Sequence, residues 1–106
     1  MIGYSNLASL PSLRDYTSHR VSSFDRTGGN VDAWTVRQGE KKTLADIEGP
    51  GCIKHVWMTL GIPKEDYVRR IVLRFFWDDC QEPSVECPIG DFFGVGHGVR
   101  KNFVSL

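Results

Sequence analysis

The clearest pattern of apolar and polar positions in the chain lies between Tyr67 and Trp77, in "YVRRIVLRFFW". Ile71, Leu73, Phe75 and Trp77 share one parity, and Arg70 and Arg74 fall on the opposite one. Side chains repeat every second residue in a strand, so this spacing predicts one long β-strand with a single buried face. "CIKHVWMTL", Cys52 to Leu60, is rich in β-branched, aromatic and long apolar residues between the turns "EGPG" and "GIPKED". It reads as a second strand. "SVECP" reads as a short strand after the loop "DDCQEP", "KKTLADI" as another, and Trp34 to Arg37 as one more.

Helical periodicity is almost absent. Leu7, Leu10 and Leu13, interrupted by Pro11, leave room for one short helix entered at Ser12 as N-cap. The expected organisation is a helical or irregular lead-in over residues 1–21 and a β domain over 22–106. Short strands separated by Gly and Pro turns indicate an all-β antiparallel sandwich. Its apolar face finds little in this chain to pack against, and "KNFVSL" reads like the start of a further strand. The expectation is a domain completed by a partner or by more chain.

Composition narrows the partners. Thirteen basic residues balance thirteen acidic ones, so the basic surplus that drives counterion release on nucleic acid is missing. "MIGYSNLASLPSLRDYTSHR" lacks the basic and continuous apolar regions of a signal peptide. Runs such as "IVLRFFW" are too short to span a bilayer. Cys52, Cys80 and Cys87 form no C-x-x-C pair. The odd count favours a reduced, cytoplasmic chain, with a Cys80–Cys87 bridge as the alternative.

Chemistry is sparse. His19, His55 and His97 are far apart, and the cysteine spacing is not that of a zinc site. "TGGN" and "GVGHG" match neither phosphate-loop pattern. No G-x-S-x-G elbow frames a nucleophile. Polar groups instead concentrate in "SSFDRTGGNVDAW", Ser22 to Trp34. Asp25, Arg26, Asn30 and Asp32 there suit sugar hydroxyls, and the Trp34 indole suits sugar C–H faces. Asp91 and Phe92 lie in a second glycine-rich stretch, "GDFFGVGHG". The competing reading is purely structural: Asp25 accepts the N–H groups of the glycine turn, with Asn30 in the left-handed region.

Four blocks taken in order, "SSFDRTGGNVDAW", "LADIEGPGCIKHVWMT", "RRIVLRFFWDD" and "EPSVECPIGDFFGVGHG", resemble the N-terminal part of glycoside hydrolase family 172, from about Ser22 to Gly98. The resemblance implies the first part of a double jelly roll and homo-oligomers, trimers or hexamers, with sites near subunit interfaces. It implies a retaining reaction on α-furanosides such as fructofuranosides and arabinofuranosides, through a glutamate nucleophile and a glutamate acid/base, with no cofactor. A full family domain is several times longer than this chain. None of Glu40, Glu48, Glu65, Glu82 and Glu86 falls where either catalytic glutamate is expected. The resemblance therefore implies a substrate wall made of Asp25, Arg26, Asn30, Asp32 and Trp34, with Asp91 and Phe92 secondary, and no catalytic residue. The alternative is a non-catalytic β-sandwich that binds sugar or serves assembly.

Overall fold

A computed structural model describes residues 10–62 and 66–104. The chain divides into two units, Met1–Val56 and Trp57–Leu106.

The second unit holds the regular structure. A helical turn α1 (Tyr67–Arg70) leads into strand β1 (Val72–Phe75), which pairs antiparallel with β2 (Val85–Pro88), and β2 runs into a second helical turn, α2 (Ile89–Phe92). Val72 faces Pro88, Leu73 faces Cys87, Arg74 faces Glu86 and Phe75 faces Val85. Arg74 and Glu86 form an ion pair across that register. Backbone bonds extend the ladder at both ends, from Ser84 N–H to the Phe75 carbonyl and from Ile89 N–H to the Ile71 carbonyl, each at 2.8 Å.

The hairpin reverses at Trp77–Cys80. Cys80 N–H donates to the Trp77 carbonyl at 3.0 Å, and the central residues Asp78 and Asp79 have φ of 53° and 59°. Two central residues with positive φ match the primed turns that fit strand twist, and aspartate tolerates that region better than most side chains.

The glycine-rich stretch folds more regularly than its composition suggests. α2 closes with Val95 N–H donating to the Gly90 carbonyl at 2.7 Å and Gly94 N–H to the Asp91 carbonyl at 3.1 Å. Gly94 sits at φ 77°. Those two bonds around a left-handed glycine are a Schellman motif, which satisfies the orphan carbonyls of the helix end. A 3-10 turn, Gly96–Gly98, follows.

Among the described residues, Val68, Leu73 and Ile89 are the buried apolar ones, one from α1, one from β1 and one from α2. Each such burial is worth roughly 1.5–3 kcal/mol. Phe75 adds ring contacts to Trp77 and Phe92, both at 5.4 Å between centroids.

Several sequence expectations change here. The long strand over Tyr67–Trp77 is split: its first four residues are helical, and only Val72–Phe75 forms a ladder. The cause is local, because Arg70 reaches back to pair with Asp66 four residues earlier and Val68 turns into the core. The expected face survives over the strand itself, with Leu73 buried, Phe75 half-buried and Val72 and Arg74 exposed. "SVECP" is a strand as expected, at Val85–Pro88.

Residues 34–37, 41–47 and 52–60 carry no ladder bonds. Their apolar side chains remain largely open, Trp57 at 74% and Ile53 at 45%. A strand is stabilised by cross-strand pairs as well as a covered face, and among the described residues these segments lack the pairs, although Val56, Met58 and Leu60 are half-buried.

The helix expected to begin at Ser12 is absent. Leu10–Ser12 is a turn and bend, and Leu13 is fully exposed. So short a helix is marginal in water without a surface on which to bury its apolar stripe. Leu7, the first residue of that stripe, lies outside the described residues. Within the first unit order comes from turns: Glu40 N–H donates to the Arg37 carbonyl at 3.0 Å, and Arg37 N–H to Glu40 Oε2 at 2.8 Å.

Candidate functional site

The loop from Ser23 to Asp32 is the most densely hydrogen-bonded part of the first unit. It begins with a turn in which Gly28 N–H donates to the Asp25 carbonyl at 3.2 Å. Gly28 has φ 79° and Asn30 φ 63°, so the chain passes twice through the left-handed region, once at glycine and once at asparagine, the residues that enter it most readily.

The Asp25 carboxylate organises the loop interior. Its Oδ1 accepts from Thr27 N–H at 2.9 Å and from the Thr27 hydroxyl at 2.7 Å, and its Oδ2 accepts from Val31 N–H at 3.2 Å. Asp32 closes the other side: its Oδ1 accepts from Asp25 N–H at 2.7 Å, and its carbonyl accepts from the Ser23 hydroxyl at 2.7 Å. The structural reading of this turn, with Asp25 serving loop amides and Asn30 left-handed, is therefore how the chain folds locally.

Two groups of the stretch do not join that relay. The Arg26 guanidinium lies over the Phe24 ring, 5.2 Å from its centroid, and the Asn30 side chain stands exposed. Trp34 is partly exposed, with the Lys42 ammonium 5.2 Å from its ring centroid.

Asp91 and Phe92 belong to the second unit and have separate partners there. Asp91 forms an ion pair with Arg69 of α1. Phe92 packs against Phe75, and meets Phe93 edge-on at 5.0 Å. His97 sits at φ 55° within the 3-10 turn. The same unit contains a cavity of about 220 Å³, with Met58, Leu60, Tyr67, Val68, Phe93 and Arg100 among its walls. Arg100 donates to the Tyr67 hydroxyl at 3.4 Å.

Reasoning from residue types passed over Ser23 and Thr27, whose hydroxyls tie the loop together. The available signal was a threonine two residues after an aspartate and directly before Gly28–Gly29, the spacing of an Asx turn.

Hydrogen bonding to the charged form lowers a carboxyl pKa. The Thr27 hydroxyl, then the Thr27 and Val31 N–H groups, hold Asp25 below its ordinary value of 3.8. A carboxyl depressed by folding stabilises the folded loop above its unfolded pKa and loses that contribution as pH falls through the lower folded value. The Asp25 contribution to loop order should thus be intact at neutral pH and lost only as pH falls below the ordinary carboxylate value. Following the Thr27 and Val31 amide shifts against pH tests this, and a midpoint at or above 3.8 contradicts it.

Cys52, Cys80 and Cys87 are free thiols. Among the described residues, no three His, Cys, Asp or Glu side chains form a group able to hold a metal ion, and no helix is long and apolar enough to cross a membrane.

Among known families, the chain matches the GH172 first beta-sandwich domain over residues 14–105. No curated protein and no solved structure matches it. The match takes in the Ser23–Asp32 loop, the β1–β2 hairpin and the Schellman-capped turn alike, and so covers every helical turn and strand described above. The chain belongs to glycoside hydrolase family 172, as the first β-sandwich domain of that family.

Proposed function

We propose that this chain is the N-terminal, jelly-roll part of a retaining glycoside hydrolase acting on α-furanosides, and that it supplies a wall of the substrate site and part of a subunit interface. The catalytic glutamate pair lies outside these residues. The observation that carries the reading is the Ser23–Asp32 loop, whose interior is fixed by its own hydrogen bonds and whose Arg26 and Asn30 side chains stay out of that relay. A site that binds hydroxyls needs polar groups held in place before the ligand arrives. Family membership supports a carbohydrate substrate, and the resemblance of the four sequence blocks is what points to furanosides.

In this reading Arg26, Asn30 and Asp32 meet furanose hydroxyls, Trp34 meets a sugar face, and Asp25 is the strut that shapes the wall. Asp91 and Phe92 are secondary. The partner is a furanose-containing oligosaccharide, the assembly a homo-trimer or hexamer, and the compartment the cytoplasm, in keeping with three free thiols. Neither cofactor nor metal takes part. The balanced charge speaks against nucleic acid and membrane surfaces as partners.

A second reading is favoured by the exposed apolar side chains, Leu13, Trp57 and Val104 among them. It makes the chain a non-catalytic sugar-binding or assembly module, since apolar surface of this kind invites association. Incubating this chain alone with nitrophenyl α-furanosides should release no nitrophenolate, whereas the complete protein should turn them over. Turnover by this chain alone overturns the placement of the glutamates. An inactive complete protein favours the second reading.

A further inference from the structure

The Ser23–Asp32 loop depends on two residues that no hydroxyl-binding argument would select. Thr27 is the first. Its hydroxyl donates to Asp25 Oδ1 at 2.7 Å and accepts from Gly29 N–H at 3.3 Å, while its own N–H donates to the same carboxylate oxygen at 2.9 Å. One residue thus fills two of the roughly four acceptor positions of the carboxylate. Gly29 is the second. A Cβ placed there would lie 2.8 Å from Asp25 Oδ2 and 3.3 Å from the Thr27 hydroxyl oxygen, closer than a carbon can approach without displacing the carboxylate.

Val31 N–H takes the other carboxylate oxygen at 3.2 Å. The Asp25 carboxylate is thereby turned onto the loop's own donors. Asp32 commits only Oδ1 in the same way, to Asp25 N–H. The two acids of the loop consequently differ in what they can offer a ligand.

We propose that Thr27 and Gly29 are the positioning residues of the sugar wall: they lock Asp25 as an internal strut and so fix where Arg26, Asn30 and Asp32 meet a furanose. This rests on the reading of the loop as a substrate wall. Thr27 itself touches no substrate. Its hydroxyl acts through Asp25, and Gly29 acts by leaving the space that the strut requires.

The test uses the full isotope-labelled chain as wild type, Thr27→Val, Thr27→Ser and Gly29→Ala, with two readouts. The first is the pH midpoint sensed by the Val31 amide, and the second is binding of a methyl α-furanoside by the complete protein carrying the same substitutions. Valine keeps the shape of threonine and removes the hydroxyl. Thr27→Val and Gly29→Ala should move the midpoint up toward the ordinary carboxylate range and weaken furanoside binding by about tenfold. Thr27→Ser, which restores the hydroxyl, should restore both. The amides of Leu73 and Ile89, in the other unit, should stay unmoved and report that the hairpin remains folded.

An unchanged midpoint in Thr27→Val overturns the proposal. So does furanoside binding that survives Thr27→Val while wild type binds, and in that case the substrate-wall reading stands. If wild type binds no furanoside but the midpoints move as stated, the wall reading fails and the positioning of Asp25 by Thr27 and Gly29 stands.

Discussion

Gly90→Ala is expected to destabilise the second unit by at least about 2 kcal/mol, near the upper range for overpacking a small core. An alanine Cβ at this position would lie 2.8 Å from the Val68 Cβ, 3.0 Å from the Val68 carbonyl oxygen and 3.3 Å from the Val95 carbonyl oxygen. Two of these three neighbours are backbone atoms, so no rotamer change relieves the clash. Relief requires α1 and α2 to separate, which opens the contact around the buried apolar residues Val68 and Ile89. The Gly90 carbonyl also accepts the bond that closes the Schellman motif, so a shift of α2 loosens the turn at Gly94 as well. Gly96→Ala is the matched control, because nothing stands within 4 Å of its added Cβ. Urea denaturation followed by far-ultraviolet circular dichroism separates the two variants. Equal midpoints would show that α1 and α2 are not packed as described.

Arg26→Ala in the complete protein is expected to lower kcat/KM for an α-furanoside by about 10- to 100-fold, almost wholly through KM. The reasoning follows from where the group stands. Arg26 leaves the internal relay to the two aspartates and Thr27, so its loss should not unfold the loop. A guanidinium that holds a hydroxyl away from the bond being broken contributes equally to ground state and transition state, which raises KM and leaves kcat alone. A fall confined to kcat would instead place Arg26 beside the reacting atoms. No change in either constant would remove it from the site.

The sequence was most informative where a pattern and its stabilising partner lie close together. The Leu73 and Phe75 face could be read because β2 follows within about a dozen residues and pairs with it. The Asx character of the glycine turn was legible for a similar reason: Asp25, Gly28 and Asn30 act within one loop. The Tyr67–Arg70 turn was not legible from the strand pattern next to it: Val68 and Arg69 break the alternation there, and the turn depends on burial of Val68 together with the Asp66–Arg70 and Arg69–Asp91 contacts. "GDFFGVGHG" is the opposite case. Its glycines suggest an irregular connection, yet Gly90 serves close packing and Gly94 a helix cap. The segments at 34–37, 41–47 and 52–60 have strand composition, but composition supplies no partner, and alone they form no ladder. In the candidate site, charged and aromatic residues drew attention to the loop that proves the most densely hydrogen-bonded of the first unit. The hydroxyls of Ser23 and Thr27 went unnoticed because their role depends on geometry that residue type does not encode.

The most direct measurement is a structure of the complete protein with a furanoside bound. The account predicts Arg26 and Asn30 within hydrogen-bond distance of furanose hydroxyls, with Asp25 still bound to Thr27 and Val31. It also predicts that both carboxylates flanking the anomeric carbon come from beyond this chain. A ligand remote from the Ser23–Asp32 loop, or an Asp or Glu of this chain at the anomeric carbon, would contradict it.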